Sequence, residues 1–362
     1  MKVCLWLLLP THYHRAFARE VAKRCDAQVV YFNRFTADRI ALGWREDTQL
    51  APYEHWDNSL SKLTTAIPDW KDRVHVIPNY GEPFTRMLTR FLIRNGAEWA
   101  DWSESSRPGW RWIARSPWKA WWTFVVRRHA LGSFYAGLRA ERDFALRGLT
   151  RSRTAFLPWV CDPPSTHTVD TATVDFNRGR NAFLYLGALS HRKGTDVLLK
   201  AAASALRTKP DWSLVIVGND RPDNYYRKLA DSLNLHDQVL FRGAVQPDLL
   251  GTILAACKVL ILPSRYDGWG LALNEGLLSG LALISSHMCG AGDHLVISGK
   301  NGFRFQAGNT QQLAELMRIY IRNPGLAEEH GAASRLMSNI VDPGQNAEIM
   351  LSTLNAWRTS KA

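Results

Sequence analysis

No apolar run in the chain approaches the roughly 18 uninterrupted residues of a membrane-crossing helix. Cysteine is scarce. The five, Cys4, Cys25, Cys161, Cys257 and Cys289, are odd in number, widely spaced and never arranged as CxxC. That pattern argues against a disulfide frame or a zinc site and for a reducing compartment. Walker A, HExxH and GxSxG motifs are missing, and no DxD occurs to hold a metal–diphosphate complex. Neither a metal site nor a resident cofactor is expected. Internal repeats and low-complexity segments are also lacking. Acidic residues are in the minority: 33 Asp and Glu face 45 Lys and Arg, a net charge of +12.

What is present fits a globular chain of two domains, since 362 residues exceed the usual size of one hydrophobic core. The opening MKVCLWLLLPTHYH has only a short apolar run, soon followed by Pro10, His12 and His14, and reads as a buried first strand rather than a leader. A helix from about His14 follows, then strands QVVYFN (28–33), RVHVIPN (73–79), AEWADWS (97–103), RHALGSF (128–134) and TAFLPWV (154–160). Another helix is expected over about 84–93. Residues 35–72 are harder to assign. The stretch 162–180 is polar, with paired prolines at 163 and 164; it holds the expected linker, 166–180, between domains at 1–165 and 181–345, and a last helix, 346–362, is expected to return to the first domain.

The second domain alternates more cleanly. Short apolar strands AFLYLG (182–187), SLVIVG (213–218), QVLFRG (238–243), KVLILP (258–263) and LALISS (281–286) are separated by helices starting near Thr195, Asn224, Pro247 and Leu271. Continuous apolar runs suit strands covered on both faces, hence a doubly wound α/β sheet whose ligands sit at the carboxyl ends of the strands.

The chemistry-bearing residues fall at those ends. GALSHRKG (187–194) brings Gly187, Arg192 and Lys193 to a helix start, an arrangement suited to phosphate, although a solvated loop explains it equally well. Its spacing is not the GxGxxG of a dinucleotide binder. Arg242 and Gly243 close their strand where a flat base could approach, or simply end it. SRYDGWGLALNEGLLSG (264–280) is richer: Gly268 and Gly270 flank Trp269, and the amides of Gly270, Leu271 and Ala272 open a helix. Asp267 precedes this turn and Glu275 lies one turn inside the helix, two carboxylates able to accept from sugar hydroxyls. A dipole role explains Glu275 alone but neither Asp267 nor the glycines.

Over about 181–320, the motifs YLGALSHRKGTDVLLKA, SLVIVGND, PSRYDGWGLALNEGLLSGLALISS and NGFRF, in that order, resemble the retaining GT-B glycosyltransferases of family four. DWSESSRPG (101–109) and LGSFYAGLRAERDFALRG (131–148) extend the resemblance loosely into the first domain. The resemblance implies two facing doubly wound, Rossmann-like domains with the active site in the cleft between them. It implies a nucleoside-diphosphate sugar, UDP- or GDP-linked, as donor, and a glycan or lipid-linked acceptor in cell-surface polysaccharide or lipopolysaccharide synthesis. Asp267 takes the place of the usual donor-sugar Glu, and Glu275 the ribose ligand. Lys193 matches the phosphate-binding lysine, and Arg192 stands in for an arginine that Ala188 replaces. His12, His14 and Glu104 become acceptor-side candidates. The implied reaction is a metal-independent hexosyl transfer with retention, in which the donor phosphate takes the acceptor proton. Alternatives are a GT-B nucleotide-sugar epimerase, or a non-catalytic basic module for membrane or nucleic acid.

Positive charge concentrates between Arg111 and Arg153, where ten Lys and Arg meet only Glu141 and Asp143, and seven of the 15 Trp lie between Trp99 and Trp122. With the enzyme reading, no nucleic-acid partner is expected. The segment 111–128 suggests an anionic membrane surface, against which Pro117 interrupts any continuous amphipathic helix, or, equally, a core helix with basic edges. The expected location is cytoplasmic, either free or peripheral at the inner membrane face.

Overall fold

Along Lys2–Leu7 the side chains alternate between two apolar layers, Val3, Leu5 and Leu7 entering one and Cys4 and Trp6 the other. A strand buried on both faces requires cover on both sides of its sheet, and this sets the plan of the fold. The computed structural model describes residues 1–35, 49–78, 82–104, 116–146 and 148–361. They divide into two compact units, one built from residues up to Asp162 and from Ile340 onward, the other from Pro163–Asn339.

The first unit contains β1 (Lys2–Leu7), β2 (Asp26–Tyr31), β3 (Glu54–Trp56), β4 (Val74–Pro78), β5 (Trp99–Glu104), β6 (Ser133–Ala136) and β7 (Thr154–Phe156). They form one sheet in the order β3-β2-β1-β4-β5-β6-β7, parallel throughout. The Pro343–Lys361 helix belongs to this unit. Its Ala347, Met350, Leu354 and Trp357 recur at helical spacing and enter the same apolar layer as Val3 and Phe134.

The second unit contains β8 (Asn181–Leu186), β9 (Trp212–Val217), β10 (Val239–Gly243), β11 (Val259–Leu262), β12 (Ala282–Ser286) and β13 (Gly302–Phe305). Its sheet runs β10-β9-β8-β11-β12-β13, again all parallel. The order reverses between β8 and β11, so their carboxyl ends form a switch point, where doubly wound sheets take ligands. Both units are thus the Rossmann-like domains expected of a GT-B chain.

Several elements differ from the sequence expectation. The stretch 128–134 is not one strand: Ser116–His129 is helical, and β6 begins only at Ser133. β7 stops at Phe156, two residues before Pro158, which has no N–H for a sheet. β3 and β13 were not anticipated as strands. Within 166–180, Thr171–Phe176 is a helix bound to the second unit by buried polar groups. Asp170, Thr173 and Asn177 form its buried stripe, Arg242 grips Asp170, and Asn177 Nδ2 donates to the carbonyl of Ala256 at 3.0 Å. Among the described residues no helix is long and apolar enough to cross a membrane.

Candidate functional site

β8 ends at Leu186, and the chain turns through Gly187 toward the Thr195–Leu206 helix. Ser190 Oγ accepts from the amide of Lys193 at 3.2 Å, and Thr195 Oγ1 accepts from the amide of Ser190 at 3.1 Å. Gly194 is left-handed at φ 74°, and a Cβ there would fall 2.1 Å from the carbonyl oxygen of Pro263. Only glycine lets the loop after β8 pass this close to the one after β11.

The two loops are then joined along their backbones. The amide of Arg265 donates to the carbonyl of Arg192 at 2.9 Å, and the Arg192 guanidinium returns a bond to the carbonyl of Tyr266 at 3.2 Å. Arg265 forks onto Asp196 at 2.6 and 2.7 Å, the charge-assisted pairing that guanidinium geometry favours. Lys193 Nζ reaches Asp267 Oδ2 at 2.5 Å. Lys193 and Asp267 are thus brought together, with Arg192 beside them on the exposed side.

A third loop supports the turn at 267–271 from below. The amide of Asp267 donates to the carbonyl of Met288, and the amides of Gly290 and Ala291 donate to the carbonyls of Asp267 and Trp269. Gly270 has φ 101°, and a Cβ on it would lie 2.3 Å from Cys289 Sγ. Gly290 is similarly close-packed: a Cβ on it would lie 2.0 Å from the carbonyl oxygen of Gly268. The Ala272–Ser279 helix starts here, capped by Leu271. Among the described residues the amides of Gly270, Leu271 and Ala272 have no backbone acceptor, as the first turn of any helix requires.

Glu275 sits in that first turn and is 8% exposed. Burial pushes its carboxyl up to about 8, the behaviour of a carboxylate withdrawn from water. Trp269 is buried, its Nε1 donating to Asn274 Oδ1 at 2.9 Å, so its indole supports the turn from inside.

Arg242 is placed differently from these. Its guanidinium forks onto Asp170 at 2.9 and 2.6 Å, anchoring the 171–176 helix to β10. Gly243 ends β10 at φ 70°, and its carbonyl accepts from the amide of Gly218 after β9.

On the first unit, two of the acceptor-side candidates meet through a residue the sequence reading did not single out. Trp159, just beyond β7, donates from Nε1 to Glu104 at the end of β5. Its ring stacks on Trp102 at 4.3 Å and lies 5.3 Å from the His14 ring. His14 is buried, with Nδ1 2.7 Å from the carbonyl oxygen of Leu9, whereas His12 is exposed. Below Glu104, Asp101 is fully buried and accepts from Ser133, Ser103 and Trp122 at 2.6, 2.9 and 3.2 Å. Burial still holds its carboxyl up at about 6. Among the described residues no group of three His, Cys, Asp or Glu is placed for a metal ion.

Comparison with known proteins falls on the second unit. Residues 169–337 match the family described as Glycosyl transferases group 1. An uncharacterized glycosyltransferase of Haemophilus influenzae is 29% identical over 155 residues, 43% of either chain. The lipopolysaccharide core biosynthesis mannosyltransferase LpcC of Rhizobium leguminosarum bv. viciae is 30% identical over 160 residues, 42% of this chain and 44% of that one. The chain therefore spans less than half the length of the curated relatives it matches. Solved structures match nearly end to end: Anabaena Alr3699/HepE in complex with UDP has a TM-score of 0.77 at 16% identity, covering 98% of this chain and all of that one. WaaG, a glycosyltransferase involved in lipopolysaccharide biosynthesis, has a TM-score of 0.64 at 15% identity, covering 97% and 99%. At such identities these structures establish the fold.

Proposed function

We propose that this chain, which carries a glycosyl transferases group 1 domain over residues 169–337, moves a sugar from a nucleoside-diphosphate sugar to a glycan or lipid-linked acceptor. The observation that carries the reading is the convergence of the Lys193–Asp267 pair, the amides opening the Ala272–Ser279 helix and the buried Glu275 on one sheet edge. Anion donors, a cation and hydroxyl acceptors lie together there, as a diphosphate flanked by two sugars requires.

In this reading the departing diphosphate gathers negative charge as the anomeric C–O bond breaks. Lys193, Arg192 and the amides of residues 270–272 offset that charge, and they are already in position before reaction. Asp267 orients Lys193 and accepts from a donor-sugar hydroxyl. Glu275 takes the ribose hydroxyls. The acceptor oxygen attacks from the side the diphosphate leaves, its proton passing to a donor phosphate oxygen, so configuration is retained without a side-chain nucleophile. With a lysine supplying the cation, we expect activity to survive EDTA.

The named relatives support both halves of the substrate assignment. Alr3699/HepE is bound to UDP, and a Corynebacterium glutamicum relative, 30% identical over 152 residues, is a GDP-mannose-dependent mannosyltransferase acting on a phosphatidylinositol mannoside. LpcC belongs to lipopolysaccharide core synthesis.

Titration calorimetry with UDP and GDP tests the donor site. Binding to one of them is expected, and binding to neither overturns the reading. A screen of nucleotide sugars in EDTA, read by diphosphate release with and without glycan acceptors, then separates a transferase from an epimerase, which needs no acceptor. NMR of the product reports the anomeric configuration.

A further inference from the structure

The Ser116–His129 helix buries a lysine and exposes three of its four aromatics. Lys119 is 1% exposed, whereas Trp118, Trp121 and Phe124 are 57%, 39% and 60% exposed. Core helices normally show the reverse. Lys119 is accommodated near Asp143, 3.8 Å away, and the opposite face is fully used: Trp122 and Val126 enter the core, and Trp122 donates to Asp101. The helix is therefore rigidly seated, and its outer stripe is a feature of the folded state.

The stripe has a definite character. Trp118, Trp121 and Phe124 follow one another at three-residue spacing, with the two indoles edge to face at 5.8 Å. The helix contains no Asp or Glu and ends in Arg127 and Arg128, both exposed. Leu146, also exposed, lies two residues before Gly148, which faces the Arg127 guanidinium. Large amphipathic rings beside charge of one sign suit a surface that is apolar below and anionic above, where indoles sit at the headgroup level and guanidinium groups meet lipid phosphates.

Its position in the unit adds a second point. β5 and β6 are parallel neighbours, so the helix connecting them begins at the carboxyl edge of the sheet. Trp118 and Trp121 lie in its first two turns. That is the same edge where Glu104, Trp159 and His14 gather.

We propose that this helix docks the protein on an anionic lipid surface and so presents the Glu104 edge to lipid-linked acceptors. The docking stands on the helix alone; the choice of acceptor rests on the function proposed above. The test is co-sedimentation of the full chain with phosphatidylcholine vesicles, with and without phosphatidylglycerol. Binding is expected only with the anionic lipid, weakening steeply with salt. Trp118→Ala/Trp121→Ala/Phe124→Ala should lower partitioning at least tenfold, and Arg127→Gln/Arg128→Gln should abolish the preference for anionic vesicles. Both variants should keep the parent's thermal melt and its affinity for UDP or GDP, which separates loss of docking from loss of the donor site. A parent chain that does not partition, or a triple variant that partitions equally, overturns the proposal. Concentration-dependent dimerisation lost in the triple variant, without vesicle binding, would assign the stripe to a second copy instead and equally overturn it.

Discussion

Lys193 and Asp267 are 74 positions apart in the chain and 2.5 Å apart in space, Nζ to Oδ2. They come from the loops after β8 and β11, the two strands on either side of the switch point. Neither side chain is more than 17% exposed, so little water competes for the contact. Each loop is also fixed by backbone bonds to the other or to the loop after β12. The ammonium is therefore held at a defined point above the sheet rather than sweeping a volume, and positional definition is what electrostatic stabilisation of a leaving group needs.

Removing that cation should be costly. Lys193→Ala is expected to lower kcat by about 10²–10³-fold, the range for loss of one preorganised group facing developing charge. Stopped assays of diphosphate release at saturating donor would show it. A variant within twofold of the parent would remove Lys193 from the reaction.

Glu275 makes stability depend on pH. Its carboxyl is raised from 4.5 to about 8 by burial, so the folded state binds a proton more tightly than the unfolded chain does. The stabilisation is complete below about 4.5 and is lost as pH rises through 8. Glu275→Gln keeps the shape and cannot ionise. Relative to the parent it should gain stability by up to ~1.4 kcal/mol per pH unit across that window. Denaturation at pH 5, 6.5 and 8 checks this; a difference independent of pH contradicts it. The same variant should bind UDP or GDP more weakly if the ribose contact is right.

Arg242 and Asp170 should behave as a structural pair. Asp170 is almost wholly buried, and burial opposes its ionisation, yet bonds from Arg242 and Thr173 hold its carboxyl below the usual range. Arg242→Ala strands that charge and should cost about 3–5 kcal/mol in urea unfolding. Asp170→Asn/Arg242→Gln should recover most of the loss. Donor affinity in the double variant should stay within about twofold; a larger drop would return Arg242 to the donor site.

Trp159→Phe removes the donor to Glu104 while preserving a ring to stack on Trp102. One neutral donor to a charged acceptor is worth a modest amount, so the acceptor KM should rise about 3–10-fold with kcat little changed. UDP or GDP titration should be unaffected. An altered nucleotide affinity would place Trp159 in a different role.

The second unit was more legible in the sequence than the first, for a physical reason. β8, β9, β11 and β12 are covered on both faces, so each reads as a continuous apolar run. β13 has Arg304 within it and only four residues, and β3 is the three-residue EHW; neither carries enough pattern to register. In the Ser116–His129 helix Lys119 points inward and Trp118 outward, inverting the rule by which faces are assigned, so apolar pattern alone does not report its buried face. The stretch 166–180 shows no apolar periodicity because its buried stripe, Asp170, Thr173 and Asn177, is polar.

The site divides along the same line. The turn at 267–275 is local, so its glycines, carboxylates and helix start could be read together. The Lys193–Asp267 contact, the Arg265–Asp196 fork and the Trp159 bridge are tertiary, and no spacing along the chain reports them. Arg242 shows the converse: its place at a strand end gives no sign of the carboxylate it pairs with, Asp170, 72 positions earlier.

The Pro343–Lys361 helix gives the chain an order of completion. Trp357 lies against Gly132 so closely that a Cβ there would fall 2.7 Å from the indole, and its Nε1 bonds to the carbonyl of Ser152. The apolar layer beneath β1 therefore stays open until some 340 further residues have been made. The second unit has no such dependence and can close while translation continues. A stop codon near position 340 would thus spare the second unit, which lies wholly before it, and leave the first unit without the helix that closes its core.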